Sequence, residues 1–263
     1  GLRDKFDDQL TYEHIPFLKT DYLGIVLDGE QTPKALRDAR VRQALSLAVD
    51  RSGLAQHLRR NAVTPTDHFV PPSMLGKPHI NPTSRDLNAA RSLLADAGYP
   101  DGVGVGSFSL STTSDYVDLC AAIQHDWAEL GLSVDIDVVP SSVHREKVAQ
   151  GETAMFYKSW LADYADAENF LALFIQANFA PGGPNYTHFY SELFEERFDA
   201  ATTMSSDKDA RMRSYNQLDS LIHEEMPVIP LFHDQVTHVL SNRIEGWQIH
   251  PVNRLDLRKV KKR

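Results

Sequence analysis

Apolar residues recur along this chain at two spacings, which predict helices and strands that follow one another. Between 87 and 97 the apolar positions lie three, four and three residues apart, which places them on one face of a helix. Ser84 or Asp86 is suited to cap the start of this helix, and Gly98 follows its end. Between 134 and 138 apolar and polar residues alternate strictly, as in a half-buried strand.

The same two patterns predict the other elements of the chain. The predicted helices begin after Asp38 and at 116–130, 141–150, 166–176, 192–202 and 207–226, and the predicted strands are 21–27, 108–111, 154–160, 228–232 and 236–240. Strands and helices alternate through the middle of the chain. We therefore predict an α/β architecture with crossover connections.

Local signals add expectations about caps, turns and loops. Ser141 and Ser142 are predicted to cap the helix at 141–150, and Ser206 is predicted to cap the last helix through a capping box with Asp209. The five prolines between 64 and 82 predict a loop without regular structure, because proline fixes φ and lacks a donor. His233 and His238 are expected in a turn between the last two strands.

Composition and charge narrow the class of function. The chain has 263 residues, 42% of them hydrophobic, and a formal net charge of −9, which argues against nucleic-acid binding because that requires a basic surface. The basic run at 258–263 is read as a solvated tail. No stretch approaches the roughly 18 apolar residues of a membrane span. A single cysteine, Cys120, excludes an internal disulfide.

Metal, nucleotide and catalytic signatures are weak. None of the eleven histidines pairs at the spacings of His-x-x-x-His or His-Glu-x-x-His, so we predict neither a metal site nor another cofactor. The glycine run at 102–106 follows a predicted helix and precedes a strand, the reverse of a dinucleotide-binding loop. No nucleophile motif is present, and we predict no catalytic residues.

The segment 160–170 carries the strongest functional signal. Asp166 is read as a helix cap, and Glu168 is favoured by the helix dipole. Asp163 instead lies at the end of an apolar strand between Trp160 and Tyr164, where open α/β sheets bind ligands. A carboxylate among aromatic rings suits a cationic ligand group. A turn residue and a general acid–base pair of Asp163 with Glu168 remain as alternatives.

Several motifs together resemble one known family. They are DARVRQAL at 38–45 with AVDR at 48–51, LLADAGYPDG at 93–102, QHDWAELGL at 124–132, WLADY at 160–164 and EMPVIPL at 225–231. In order and spacing they resemble the C-terminal half of family 5 extracellular solute-binding proteins, the oligopeptide- and dipeptide-binding components of bacterial ABC importers. The resemblance covers nearly the whole chain from Tyr22 onward.

The resemblance implies a type II periplasmic-binding-protein fold that closes over its ligand with two lobes. This chain would be the C-terminal lobe, with a mixed sheet flanked by helices. We expect flanking strands at 1–30, the ligand-binding lobe at 31–225, and return strands with a tail at 226–263. The N-terminal lobe and the signal peptide are expected outside this chain, which alone would then bind ligand weakly or not at all.

The resemblance also implies site residues. In peptide-binding members the aspartate of Trp-x-x-Asp-Tyr pairs with the peptide α-ammonium and the tryptophan lines a side-chain pocket; Trp160 and Asp163 match these positions, with Tyr164 adjacent. The asparagine usual after the first strand is replaced by Val26. The cations that hold the peptide carboxylate vary in the family, and neither Arg145 nor Lys158 is assigned from sequence.

The expected function is peptide binding for an ABC permease of the inner membrane, in the periplasm or on a lipid anchor. The chain itself is expected neither to insert into the membrane nor to catalyse a reaction. Two alternatives keep the fold: a non-peptide solute such as a nickel complex, heme or an oligosaccharide, or use of the lobe in a sensory or chaperone-like module. A hydrolase using Asp163 and Glu168 is the third.

Overall fold

The computed structural model describes residues 6, 9–77, 82–204, 207–248 and 256–263. The strands are β1 (Leu10–Ile25), β2 (Val63–Pro65), β3 (Phe108–Thr112), β4 (Val134–Val138), β5 (Met155–Leu161), β6 (Val228–Ser241), β7 (Ile244–Glu245) and β8 (Lys261–Lys262). The α-helices are α1 (Ala39–Ala48), α2 (Arg51–His57), α3 (Leu87–Asp96), α4 (Val117–Ala128), α5 (Ser141–Ala149), α6 (Glu168–Leu171), α7 (Glu192–Thr203) and α8 (Lys208–Glu225).

One mixed sheet organises the described residues, with strand order β2-β6-β1-β5-β3-β4. Strand β3 is parallel to both β4 and β5, while β1 is antiparallel to β5 and β6. Helices α4 and α5 connect the three parallel strands, as crossover connections require. The carboxyl ends of β3, β4 and β5 therefore lie at one edge of the sheet, and the α/β prediction is confirmed.

Both faces of the sheet are covered, each by its own hydrophobic core. The first core joins the sheet to α1, α3 and α4 through residues that include Leu23, Leu45, Leu94, Ile123 and Trp127. The second core joins it to α6, α7 and α8 through residues that include Tyr22, Phe156, Phe170, Phe194 and Leu218. Neighbouring residues of β1 and β5 enter opposite cores because side chains alternate along a strand.

The long strands β1 and β6 differ from the sequence-based expectation. The predicted strand 21–27 begins at Leu10 instead and ends at Ile25, and the two strands predicted at 228–232 and 236–240 are one strand. The polar residues at 233–235 had suggested a turn, but they pair with β1 or β2 on either side of β6. The pairing of β1 with β6 changes register between Pro16 and Thr20, as at a β-bulge.

The turn predicted around His233 and His238 is therefore wrong, since both residues lie within β6. His233 is buried, and its Nδ1 lies 3.0 Å from the hydroxyl of Thr20. The outer half of β1 pairs with 235–241 as a two-stranded ribbon of mostly half-exposed residues. The domain limits at 30 and 225 remain a prediction, although Leu18 and the residues up to Ile25 belong to an interior strand.

Two further expectations are corrected. The helix predicted at 166–176 is only α6, followed by 3-10 turns at Ala172–Phe174 and Gln176–Asn178. Leu171, Leu173 and Phe174 are all buried in the second core, so the segment follows that core instead of exposing one helical face. The proline-rich segment also contains regular structure, namely β2 at the sheet edge, where proline is tolerated, and a 3-10 turn at Pro72–Leu75.

Helix starts follow local capping chemistry, with exceptions to the predictions. Asp86 caps α3 by accepting from Asn88 and Ala89. Helix α5 follows Pro140 without a side-chain cap, so the cap predicted from its serines is wrong. Ser206 lies outside the described residues, and Asp207 accepts from the backbone of Ala210 at the start of α8. Helix α2 was not predicted. No helix in the described ranges is long and apolar enough to cross a membrane.

Candidate functional site

The segment 160–170 leaves the sheet at the carboxyl end of β5. Trp160 is the penultimate residue of β5 and contacts the second core, and Asp163 and Tyr164 follow two and three residues after the strand ends. Of the three residues predicted as a binding site, Trp160 thus lies at the end of the strand, and Asp163 and Tyr164 lie in the turn that follows it. Both Asp163 and Tyr164 are exposed.

Asn169 fixes the geometry of this turn. Its side-chain oxygen accepts from the indole N–H of Trp160 at 3.0 Å and from the backbone N–H of Asp163 at 3.2 Å. Asn169 is 6% exposed and lies in α6, next to Phe170 of the second core. One buried amide therefore orients the ring and the backbone of the carboxylate together.

Three carboxylates in this segment have different environments. Asp166 accepts from the backbone N–H of Glu168 at 3.0 Å and pairs with Arg211 at 2.6 Å. The N-cap position of α6 is Ala167, without a side-chain cap, so the cap role predicted for Asp166 is wrong by one residue. Glu168 lies 3.8 Å from the same guanidinium. The carboxylate of Asp163 has no hydrogen bond or ion pair with any residue that the structure describes. A negative charge is thus left for an external cation at the end of β5.

Exposed apolar and aromatic surface surrounds this charge. Tyr164 and Leu161 are 45% and 50% exposed, respectively. Partial burial raises the pKa of the Tyr164 phenol above its usual value, with Glu168 and Asp166 acting in the same direction. The phenol is therefore neutral at physiological pH and adds no charge of its own beside Asp163.

A cavity of about 280 Å³ lies beyond the ends of the three parallel strands. It is lined by Tyr116 after β3, Arg145 of α5, and Tyr157 with Lys158 in β5. The rings of Tyr116 and Tyr157 stack at a centroid distance of 4.2 Å. Ligands of open α/β sheets bind at this edge, and the cavity brings Arg145 and Lys158 to one place, which the sequence left open.

Lys158 is half-buried, and the pKa of its side chain is lowered. Burial and, to a smaller extent, the nearby charge of Arg145 together lower the pKa of its ammonium to about 8. Its Nζ lies 4.0 Å from the ring centroid of Tyr186, a cation–π contact. No carboxylate among the described residues forms an ion pair with Lys158. Two cations thus face the cavity, and an anionic group there would relieve their repulsion.

A buried carboxylate supports the floor of this cavity. Asp21 is 1% exposed and lies 3.1 Å from Lys19 and 3.5 Å from Arg59. Burial, followed by the charge of Asp21, raises the pKa of the Tyr157 phenol well above its usual value. Tyr157 is consequently a neutral wall of the cavity. Asp21 was not singled out from sequence because Arg59 and Tyr157 lie 38 and 136 residues away from it in the chain.

Comparison with known proteins places this arrangement in context. The family described as bacterial extracellular solute-binding proteins, family 5 Middle, matches residues 4–180. A dipeptide-binding protein of Escherichia coli (strain K12) is 24% identical over 257 residues, covering 96% of this chain and 47% of the relative. The glutathione-binding protein GsiB of Salmonella typhi is 30% identical over 226 residues, covering 84% and 44%. The chain thus spans about half the length of the relatives it matches.

Solved structures agree with the fold. HbpA2 from Haemophilus parasuis superposes with a TM-score of 0.88 at 25% identity, covering 100% of this chain and 52% of that one. The protein DppA from Helicobacter pylori, solved with the peptide STSA, gives a TM-score of 0.78 at 22% identity and covers 98% and 50%. The second likeness supports the fold alone.

Proposed function

The chain belongs to the bacterial extracellular solute-binding proteins of family 5, and we propose that it forms one wall of a cleft that binds short peptides for an ABC importer. The observation that carries this proposal is the carboxylate of Asp163. It lies exposed at a strand end, its backbone is fixed by Asn169, and Arg211 neutralises the two other carboxylates of the segment. A site built to keep one negative charge available fits a cationic ligand group.

Asp163 binds the α-ammonium of the peptide in this proposal. Its backbone is held in place before the ligand arrives, so less conformational freedom is lost on binding. Trp160 and Tyr164 flank the carboxylate, exclude water from the ion pair and contact the first side chain of the peptide. Closure over the ligand strengthens the ion pair because the surrounding dielectric falls.

The cavity at Arg145 and Lys158 receives the peptide carboxylate. Lys158 is the better placed of the two because burial has already removed part of its hydration. Residues 158 and 163 are five positions apart, which corresponds to at most about 17 Å along an extended chain. Opposite charges over that distance suit a peptide of a few residues with both termini free.

The rest of the mechanism concerns parts beyond this chain. A second lobe would supply the opposite wall of the cleft, and the closed complex would dock on a membrane permease outside the cytoplasm. The names of two relatives, a dipeptide-binding and a glutathione-binding protein, support ligands of this size and zwitterionic charge. Binding without turnover fits the site, because Glu168 is engaged by Arg211 and leaves Asp163 without a partner for acid–base chemistry.

Heme is the second candidate ligand. A heme-binding protein A of Haemophilus influenzae is 26% identical over 243 residues, and the cations Arg145 and Lys158 would suit propionate groups. Heme has no ammonium group for Asp163, however, so the peptide proposal explains more of the site.

Ligand-observed NMR on the 263-residue chain separates these candidates. Millimolar di- and tripeptides, glutathione, a water-soluble heme, a nickel chelate and an oligosaccharide are tested one at a time for saturation transfer. We expect signals from the peptides and glutathione that Asp163→Asn weakens. A signal from heme alone, or from peptides with no sensitivity to Asp163, would refute the proposed ligand class.

A further inference from the structure

A second cluster of chemical groups lies where the segment after β2 meets the last turn of α8. One ligand atom from each of Asp67, His68 and His223 lies within 4.8 Å of the other two. The rings of His68 and His223 stack at a centroid distance of 4.7 Å with an interplanar angle of 10°. His223 follows His68 by 155 positions and Asp67 by 156. Sequence spacing therefore gave no sign of the cluster.

Asp219 orients the first imidazole. Its Oδ2 lies 2.7 Å from Nδ1 of His68, and its Oδ1 accepts from the backbone N–H of Val70 at 3.1 Å. Asp219 is 1% exposed, so this carboxylate is fixed in position. The Nδ1 proton of His68 faces the carboxylate, which leaves the lone pair on Nε2.

The second imidazole, that of His223, also carries its proton on Nδ1. Nδ1 of His223 lies 3.0 Å from the backbone carbonyl oxygen of Asp67. A carbonyl oxygen only accepts, so Nδ1 must carry the proton and Nε2 the lone pair. Within the described part of the chain both rings form hydrogen bonds through Nδ1 alone. An imidazole whose far nitrogen donates to a carboxylate or carbonyl is the usual arrangement around a protein-bound metal.

Asp67 supplies an anionic oxygen beside the two rings. It is 6% exposed, and its Oδ2 accepts from the backbone N–H of Thr83 at 2.8 Å. Asp67 and His223 both line a cavity of about 190 Å³, which gives an ion access. Arg51 lines the same cavity, but its guanidinium donates to the carbonyls of Pro230 and Ser46.

We propose that Asp67, His68 and His223 bind a divalent transition-metal ion of the Zn²⁺ class. Two imidazole nitrogens and one carboxylate oxygen are a donor set that Zn²⁺ accepts, with a fourth position left for water. Tetrahedral bonds of about 2.1 Å place ligand atoms about 3.4 Å apart. Ligand atoms that lie within 4.8 Å of one another therefore close by at most about 1.4 Å on binding. Rotation of the His223 and Asp67 side chains about their own bonds supplies this movement.

Charged side chains around the cluster balance one another. Asp67 and Asp219 contribute two negative charges, while Lys77 near His68 and Arg51 near Asp67 contribute two positive ones. The ion would connect the segment after β2 to α8 and so fix the rim of the second core. None of its ligands lines the cavity at Arg145 and Lys158, so this site is separate from the proposed peptide wall.

Metal titration of the untagged chain tests the site. Isothermal titration with Zn²⁺ should give one ion per chain, and Co²⁺ should produce the visible absorption of a four-coordinate centre. His223→Ala and Asp67→Ala should each weaken Zn²⁺ binding at least tenfold. Asp219→Asn, which removes the carboxylate that orients His68, should weaken it by about ten- to a hundredfold. His125→Ala on the exposed face of α4 is the matched control and should leave binding unchanged.

Two further readouts decide between a metal site and a packing role. Circular dichroism of each metal-free variant establishes that it is folded, and the melting temperature of the wild type should rise with Zn²⁺ while that of His223→Ala should not. Zn²⁺ binding that survives in both His223→Ala and His68→Ala would overturn the proposal. The absence of stoichiometric binding and of a four-coordinate Co²⁺ spectrum in the wild type would overturn it equally.

Discussion

The side-chain oxygen of Asn169 accepts a hydrogen bond from the backbone N–H of Asp163 at 3.2 Å. The same oxygen holds the indole of Trp160, so a buried residue of α6 sets the position of a carboxylate that itself has no partner among the described residues. The site is therefore organised in two layers. The exposed layer meets the ligand, and the buried layer determines where the exposed charge stands.

Replacing Asn169 by Ala should disorganise this site without unfolding the chain. Two donors lose their acceptor, and a half-buried indole N–H without a partner costs about 1–3 kcal/mol. We expect the free energy of unfolding in urea to fall by about that amount and the peptide signal in NMR to weaken. Asn88→Ala, on the exposed face of α3, is the control and should change neither quantity.

Peptide binding should weaken as the pH rises through about 8, the lowered pKa of Lys158. The free lysine loses its proton there, whereas a bound carboxylate favours the charged form, so protonation and binding are linked. The α-ammonium of the peptide also titrates near this pH, so the effect of the lysine is the difference between wild type and Lys158→Met across the same pH series.

Arg145→Met serves as the control for that series. It removes a cation from the same cavity but leaves the titrating group, so binding should weaken at every pH and keep its pH dependence. The midpoint should move to a higher pH, because Arg145 helps to lower the pKa of Lys158. A Lys158→Met variant with the pH profile of the wild type would exclude the lysine from the site.

The buried guanidinium of Arg42 should be a major source of stability. It donates to the carbonyls of Leu36, Arg37, Glu225 and Met226, and it thereby closes the end of α8 against the turn before α1. Arg42→Leu leaves these carbonyls unpaired and should cost about 3 kcal/mol or more in urea unfolding. Arg42→Lys should recover little, because an ammonium lacks the planar fork. Arg40→Ala at the surface should leave the free energy of unfolding nearly unchanged.

Gly24 should tolerate no side chain. A Cβ at this position of β1 would lie 2.2 Å from the ring of Phe156 on the paired strand. Gly24→Ala must displace that ring within the second core, and we expect a loss of about 1–3 kcal/mol in the free energy of unfolding. Gly182→Ala, whose new Cβ would meet only a backbone oxygen at 3.5 Å, is the matched control and should stay within about 0.5 kcal/mol.

The sequence predicted those parts of the fold and site that depend on local pattern. The alternation at 134–138 and the helical spacing at 87–97 were enough for β4 and α3, and WLADY located Trp160, Asp163 and Tyr164 at a strand end. What failed depends on partners far away in the chain. The polar residues at 233–235 lie in a strand because β1 and β2 pair with them, and the role of Asn169 follows from the packing of α6.

The pairing of the charged residues at the site could not be predicted from sequence either. Asp163 and Glu168 are equally acidic in sequence, but only Glu168 lies near Arg211, 43 residues later. Arg145 and Lys158 remained unassigned from sequence because their common cavity exists only once β3, β4 and β5 are aligned. The cluster of Asp67, His68 and His223 was missed for that reason too, since spacing rules recognise metal ligands only when they are close in the chain.

Pairing of Asp163 with a peptide ammonium is the central claim, and a cycle of two proteins and two peptides tests it most directly. Chemical-shift changes at the indole N–H of Trp160 are followed while a tripeptide, or its N-acetylated form, is added to the wild type and to Asp163→Asn at millimolar concentration. We predict a saturable shift when the unmodified peptide is added to the wild type. The acetylated peptide with the wild type, and either peptide with Asp163→Asn, should give weaker shifts that are equal to one another. A shift of the same size with the acetylated peptide, or with Asp163→Asn, would contradict the claim.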